Sequence, residues 1–172
     1  MLAASSISIA TPDDINELVH LVNKSYRGDT SKKGWTTEAH LLDGIRTDEA
    51  SLKEMMNCND AVILKYIDAN NLVGCVYLQK QAGQMYLGML SVLPEIQAKG
   101  IGKQLLKASE EYAKQKKCDV IQMTVISVRT ELINWYERHG YFQTGETKPF
   151  PDDVRFGIPK QLLEFIVLQK KL

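Results

Sequence analysis

The sequence predicts an α/β (α+β) fold in which one mixed sheet carries helices on its faces. Three observations lead there. The apolar period is helical before about residue 58, alternates as strands do from Ala61, and turns helical again at Ile101. Turn-forming clusters at 68–71 (DANN) and 81–84 (QAGQ) punctuate the strand-like runs. The resulting order is strand, two or three helices, three strands, helix, strand, helix and two strands. A single sheet accommodates that order.

Each element has its own signal. Ser6 to Ala10 reads as a short strand. Thr11-Pro12-Asp13-Asp14 starts a helix, with a capping hydroxyl, proline at the first helical position and acids at its positive end. Ile15, Leu18, Val19 and Val22 form its buried stripe. Gly28 to Gly34 interrupts the pattern, and Thr36-Thr37-Glu38 is expected to restart a helix toward Leu41-Leu42. A third helix is expected over Glu49 to Met56. Ala61 to Ile67 and Leu72 to Leu78 make a hairpin, and Met85 to Val92 follows as a third strand. A helix from Ile101 to Lys116 buries Ile101, Leu105, Ala108 and Tyr112. Val120 to Ile126 is a strand, and about Val128 to His139 a helix stopped by Gly140. Tyr141 to Thr147 and Leu163 to Leu168 are the last strands.

With 172 residues the chain is most simply one domain, 1–172, large enough for a substantial core. Its 21 basic and 21 acidic residues balance, which argues against a nucleic-acid surface and against disorder. Cys58, Cys75 and Cys118 form no CxxC pair, so neither a disulfide framework nor a zinc site is expected. His20, His40 and His139 lack metal-ligand spacing. No apolar run reaches membrane-span length and no secretory leader is visible, so a cytoplasmic protein without a membrane partner is expected.

The stretch Gln97-Ala98-Lys99-Gly100-Ile101-Gly102-Lys103 carries the most chemistry. It joins a strand to a helix, and the first amides of a helix have no internal partner. The helix dipole adds partial positive charge there, so a phosphate is a natural guest. Lys99 and Lys103 add formal charge. A Walker A loop fails, because Gln97 stands where its first glycine belongs and Gln104 follows Lys103. A Rossmann loop fails at Leu105, where a third glycine is required.

Two motifs together resemble the GNAT acetyltransferase superfamily. The first is Q/R-x-x-G-x-G/A, matched by Gln97, Gly100 and Gly102. The second is Trp135-Tyr136-Glu137-Arg138-His139-Gly140-Tyr141, which is similar to L-Y-E-x-x-G-F/Y with Trp135 replacing the leucine. The resemblance runs from the first strand to Lys148. It implies a mostly antiparallel sheet and acetyl-coenzyme A (coenzyme A) as the cofactor. Backbone amides of Ala98, Lys99, Gly100, Ile101, Gly102 and Lys103 would hold the pyrophosphate. Leu90, Ser91 and Val92 would pair with the pantetheine arm as an added strand does, with an N–H near Val92 polarising the thioester carbonyl.

Tyr136 stands where the superfamily places its proton donor to the departing sulfur. Spacing alone reads it as a core residue, since Arg129, Leu132, Ile133 and Tyr136 share one helical face, and the motif match is what raises the catalytic reading. Arg129 replaces the asparagine of many members, and either contacts the cofactor or pairs with a carboxylate such as Glu131 or Glu95. Glu38 and His40 lie in the segment where the superfamily builds its acceptor pocket, and Tyr26, Trp35 and Tyr86 are candidates for its walls. Asp152 and Asp153 either attract a cationic acceptor or are solvated turn residues. The implied activity is N-acetyl transfer to a primary amine, small or amino-acid-like, by direct transfer in a ternary complex. A non-catalytic acyl-coenzyme A sensor and a protein N-terminal or lysine acetyltransferase are the alternatives. A homodimer is compatible with either.

Overall fold

The computed structural model describes residues 4–172, and every side chain among them except that of Phe156. β1 (Ser6–Ile9) leads through the capped turn at Thr11 into α1 (Ile15–Tyr26) and the single-turn α2 (Gly28–Ser31). Asp14 closes that turn, its carboxylate accepting from the Thr11 N–H at 2.7 Å and from Lys65 Nζ at 2.8 Å. After a two-residue β2 (Leu42–Asp43) come α3 (Glu49–Asn57), β3 (Ala61–Asp68), β4 (Asn71–Gln81) and β5 (Gln84–Val92). Then follow α4 (Ile101–Gln115), β6 (Val120–Ile126), α5 (Thr130–Arg138), β7 (Phe142–Pro149), β8 (Ile158–Pro159) and β9 (Glu164–Lys171).

The main sheet has seven strands in the order β1-β3-β4-β5-β6-β9-β7. Only β5 and β6 pair in parallel, as a crossover through α4 requires. Helices cover both faces. Leu105 and Leu106 of α4 and Ile133 of α5 pack on Val76, Leu78 and Leu87. Leu18, Leu21 and Val22 of α1 and Leu52 of α3 pack on the opposite face, against Ile63, Cys75 and Tyr77. Alternate residues of β4 therefore enter different cores, and Leu72 to Leu78 are buried throughout. Leu18 and Leu105 are each fully buried, worth about 2 kcal/mol apiece in transfer terms.

The segment at 36–42 departs from the expected helix. It is a turn, with the N–H groups of Leu41 and Leu42 both bonded to the Glu38 carbonyl, and it runs into β2, which pairs with β8. Thr36 and Thr37 are β-branched and weak helix formers, and the Glu38 side chain is drawn inward by arginines. Gly28 to Gly34, expected to be irregular, contains the turn of α2, where Ser31 Oγ donates to the Gly28 carbonyl at 2.7 Å.

Two irregularities in β5 position the site. Its parallel pairing with β6 covers only Met85–Ile121 and Tyr86–Gln122, so the strands splay apart beyond them. Its register against β4 also slips, with Tyr77 opposite Gly88 but Cys75 opposite Ser91. Met89 and Leu90 thus stand opposite the single residue Val76, and Met89 takes φ +55°. That is a β-bulge, which bends the strand and re-aims the groups after it.

Candidate active site

The splay leaves the far half of β5 beside a cavity of about 260 Å³. Leu90, Ser91 and Val92 form one wall. Ala98, Gly100, Ile101, Gly102 and Lys103 form the end, and Leu132, Trp135, Tyr136 and His139 of α5 and its flank close the side. The loop geometry follows from its residues. Gly100 caps α4 with φ +85°, a left-handed conformation that glycine adopts without strain, and a Cβ there would meet nothing within 4 Å. Ala98 is also left-handed, at φ +66°. The chain thus turns its first helical amides toward open space.

Gln97 acts as a clamp. Its Oε1 accepts from the Trp35 N–H at 3.1 Å and its Nε2 donates to the Val92 carbonyl at 3.0 Å. Ser25 Oγ lies 3.0 Å from the same carbonyl and 2.7 Å from that of Leu21, so its one proton is shared between them. Leu93 N–H bonds the Val73 carbonyl, so Val73 and Leu93 form a bonded pair. Pairs alternate along an antiparallel ladder, which turns both polar groups of Val92 away from β4 and into the gap. The carbonyl is occupied there by Gln97 and Ser25; the N–H faces the cavity. Leu90 points its carbonyl the same way, where Tyr26 Oη donates to it at 2.8 Å.

A second cavity, about 240 Å³, opens between the splayed strands. Tyr86, Gly88 and Met89 line it from β5, Met123 to Ile126 from β6, and Phe150 and Pro151 from the connection to β8. Gly88 has a local reason: the Tyr86 ring lies 3.0 Å from where its Cβ would stand. Tyr26, Leu90, Arg129, Leu132 and Tyr136 line both cavities, so the two meet at Tyr136.

The pattern of the Acetyltransferase (GNAT) family matches residues 16–141, well over half of the chain. The chain belongs to the GNAT acetyltransferase family. Its fold is similar to that of PaiA N-acetyltransferase from Thermoplasma acidophilum, solved in complex with coenzyme A. The two share 19% identity over 99% of this chain and 100% of the other, with a TM-score of 0.75. The ribosomal-protein-S18-alanine N-acetyltransferase from Escherichia coli superposes at TM-score 0.72, with 12% identity over 98% and 94% of the two chains. An IAA acetyltransferase from Bacillus cereus gives 0.68, with 16% identity over 98% and 100%. Among curated proteins, none matches this sequence significantly.

Within this GNAT domain Tyr136 is 5% exposed, and its hydroxyl makes no hydrogen bond among the described residues. Burial, and then the neighbouring Tyr26, push its phenol far above the usual tyrosine range. It is a proton holder, not a phenolate. Tyr26 is likewise pushed up to about 12 by burial, and its proton is committed to Leu90.

Glu38 lies on the floor of the second cavity, with both oxygens engaged. Oε2 accepts from Arg27 Nε at 2.9 Å and Oε1 from Arg129 Nη1 at 3.1 Å. Arg129 also donates to Thr36 Oγ1 at 2.6 Å, and its Nε has only Glu131 Oε1, at 3.7 Å, beyond hydrogen-bond length. Of the two carboxylates considered for Arg129, Glu131 is near; Glu38 is the main partner.

The other candidates divide. Tyr86 lines the second cavity; Trp35 lines the first, 6.3 Å from the Trp135 ring. Lys99 and His40 line neither. Asp152 and Asp153 also line neither, and Asp153 accepts from its own Arg155 at 2.9 Å. None of the three cysteines borders a cavity, and burial pushes the Cys75 thiol up to about 12. Ser25 and Ser91 do border the first cavity, but each donates to a backbone carbonyl.

Sequence reasoning missed Ser25, Arg27, Arg46, Leu132 and His139. Ser25 had a signal, since it continues the Leu18-Leu21-Val22 stripe at helical spacing. Arg27 and Arg46 had none, because their neighbours here come from distant segments.

Proposed function

We propose that this chain moves the acetyl group of acetyl-coenzyme A to a small primary amine by direct transfer in a ternary complex. One observation supports this above the others: two cavities meet at Tyr136, Leu90 and Tyr26 across the gap between β5 and β6. A donor in the first and an acceptor in the second would then touch at one point. The cofactor fits the first on its own geometry. The left-handed Gly100, the unpartnered first amides of α4 and Lys103 match a pyrophosphate, and the exposed edge of β5 matches an amide-bearing arm.

When bound, acetyl-coenzyme A supplies a thioester carbon open to attack and a thiolate leaving group, with a thiol pKa of about 8.5. The Val92 N–H would be the donor to a thioester oxygen placed in the first cavity, its direction held by the Gln97 and Ser25 contacts to the Val92 carbonyl. Tyr136 holds a proton where the two cavities join, ready for the departing sulfur. Both Glu38 oxygens are taken up by arginines, and β5 carries no carboxylate. The amine proton therefore leaves through water. With no free serine or cysteine at the junction, the acetyl group passes directly to the amine.

Thiol release from acetyl-coenzyme A with a panel of amines tests this, with the acetylated product identified by mass. Tight cofactor binding without release across the panel would instead mark a sensor.

A further inference from the structure

The second cavity has an unbalanced charge. Arg27, Arg46 and Arg129 line it, and Glu38 is its one carboxylate among the described residues. Two of these guanidinium groups are committed to Glu38, at 2.9 Å and 3.1 Å. The third is not. The Arg46 guanidinium makes no ion pair or hydrogen bond among the described residues and lies over the Tyr26 ring, 5.3 Å from its centroid. It is partly buried in a recess with apolar walls from Leu87, Met123 and Phe165.

The loop under Arg46 is built, not loose. Asn23 Oδ1 accepts from the N–H groups of Arg46 at 2.8 Å and Thr47 at 3.0 Å, and Asn23 Nδ2 donates to the Thr47 carbonyl at 2.9 Å. Arg27 Nη1 adds a bond to the Ile45 carbonyl at 3.3 Å. Three successive residues are thus tied to α1 and its end, which holds the backbone bearing Arg46 in place at the cavity. A guanidinium presents five donors in a planar fork that matches a carboxylate in two parallel bonds. An excess of one charge sign in a low-dielectric cleft concentrates the opposite sign.

We infer that the acceptor carries an anionic group, a carboxylate in the simplest case, that Arg46 seats in the second cavity while the amine faces Leu90 and Tyr136. This rests on the acetyl-transfer reading and narrows it to small amino acids and their analogues. The cavity, at about 240 Å³, is of a size for one such molecule.

The test compares matched acceptors: amino acids, their amides, and the amines lacking the carboxylate, plus a short peptide with an amidated C-terminus. The native protein turns over at least one amino acid with kcat/KM about tenfold or more above its amide and its decarboxylated amine. Arg46→Gln lowers that value about 10- to 100-fold, mainly through KM, and leaves the amines within about twofold. Arg46→Lys recovers part of the loss. Amines or amides preferred by the native protein, or an equal fall for all acceptors, would overturn the inference. So would preference for the amidated peptide, which would assign the cavity to a protein N-terminus. If no acceptor releases thiol, the acetyl-transfer reading fails by itself. Calorimetric titration of the coenzyme A-loaded protein with N-acetyl amino acids then decides the anion site. Binding that Arg46→Gln removes supports it, and no binding to the native protein rejects it.

Discussion

Arg129 and Glu38 meet at 3.1 Å inside the protein although 91 positions separate them in the chain. Glu38 also holds Arg27, so one carboxylate neutralises two buried guanidinium groups beneath the second cavity. All three side chains are less than a tenth exposed. Burial lowers the affinity of Arg27 for its proton and Glu38 partly restores it. The pair joins the loop before β2 to the start of α5, and so sets the distance between the cavity floor and Tyr136.

Glu38→Gln breaks this arrangement from one side. It removes the carboxylate that Arg27 and Arg129 share in the interior, a loss of about 3–5 kcal/mol by analogy with broken buried pairs. Chemical denaturation measures it. A loss below about 1 kcal/mol would mean that solvent already screens the cluster.

Tyr136→Phe removes only a hydroxyl with no hydrogen-bond partner among the described residues, so folding stability changes by less than about 1 kcal/mol. Turnover falls about 10- to 100-fold, at the low end of proton-transfer effects because the thiolate leaves well unaided. Coenzyme A affinity stays unchanged. Steady-state kinetics beside calorimetry make the check, and unchanged turnover returns Tyr136 to the core.

The two loop glycines fail for different reasons. Gly100→Ala must hold φ +85° with a side chain, at about 1–2 kcal/mol, and this strain shifts the amides that face the cavity. Gly102→Ala places its Cβ 3.5 Å from Trp135, an ordinary contact, and folds as the native chain does. Gly102→Val pushes further into the space between Trp135 and Val92 and weakens coenzyme A binding about tenfold or more. Calorimetric affinities of the three variants, with melting curves, separate strain from blockage. Native affinity in both Gly100→Ala and Gly102→Val would remove the loop from the cofactor site.

Acid stability should depend on Asp14. Burial opposes its ionisation, but Lys65 and the Thr11 amide more than offset this, so its carboxyl lies below the ordinary 3.8. A carboxylate depressed on folding stabilises the native state above the unfolded value, and that contribution fades as pH falls below 3.8 through the folded value. Asp14→Asn therefore lowers stability at neutral pH by about 1 kcal/mol and flattens the acid loss in that window. Equal acid sensitivity in both proteins would reject the assignment.

Legible in the sequence were the seven strands of the main sheet in chain order, the helix start at Thr11, the β3–β4 hairpin and the loop at Gln97 to Lys103. Each rests on local chemistry: a cap, a two-residue or helical period, a glycine at a turn. The pairing of that loop with Tyr136 was legible too, because both sit in short motifs at a fixed separation. Residues 36–42 were misread as helix because the force on them is not local. Glu38 turns inward to arginines from α1's end and α5's start, and Leu42 pairs with Pro159. The splay of β5 from β6, the direction of the Val92 N–H, the place of Trp35 at the first cavity and the charge of Arg46 in the second belong to the tertiary structure. Those depend on contacts between segments far apart in the chain, and no period or motif within one segment records which distant segment will face it.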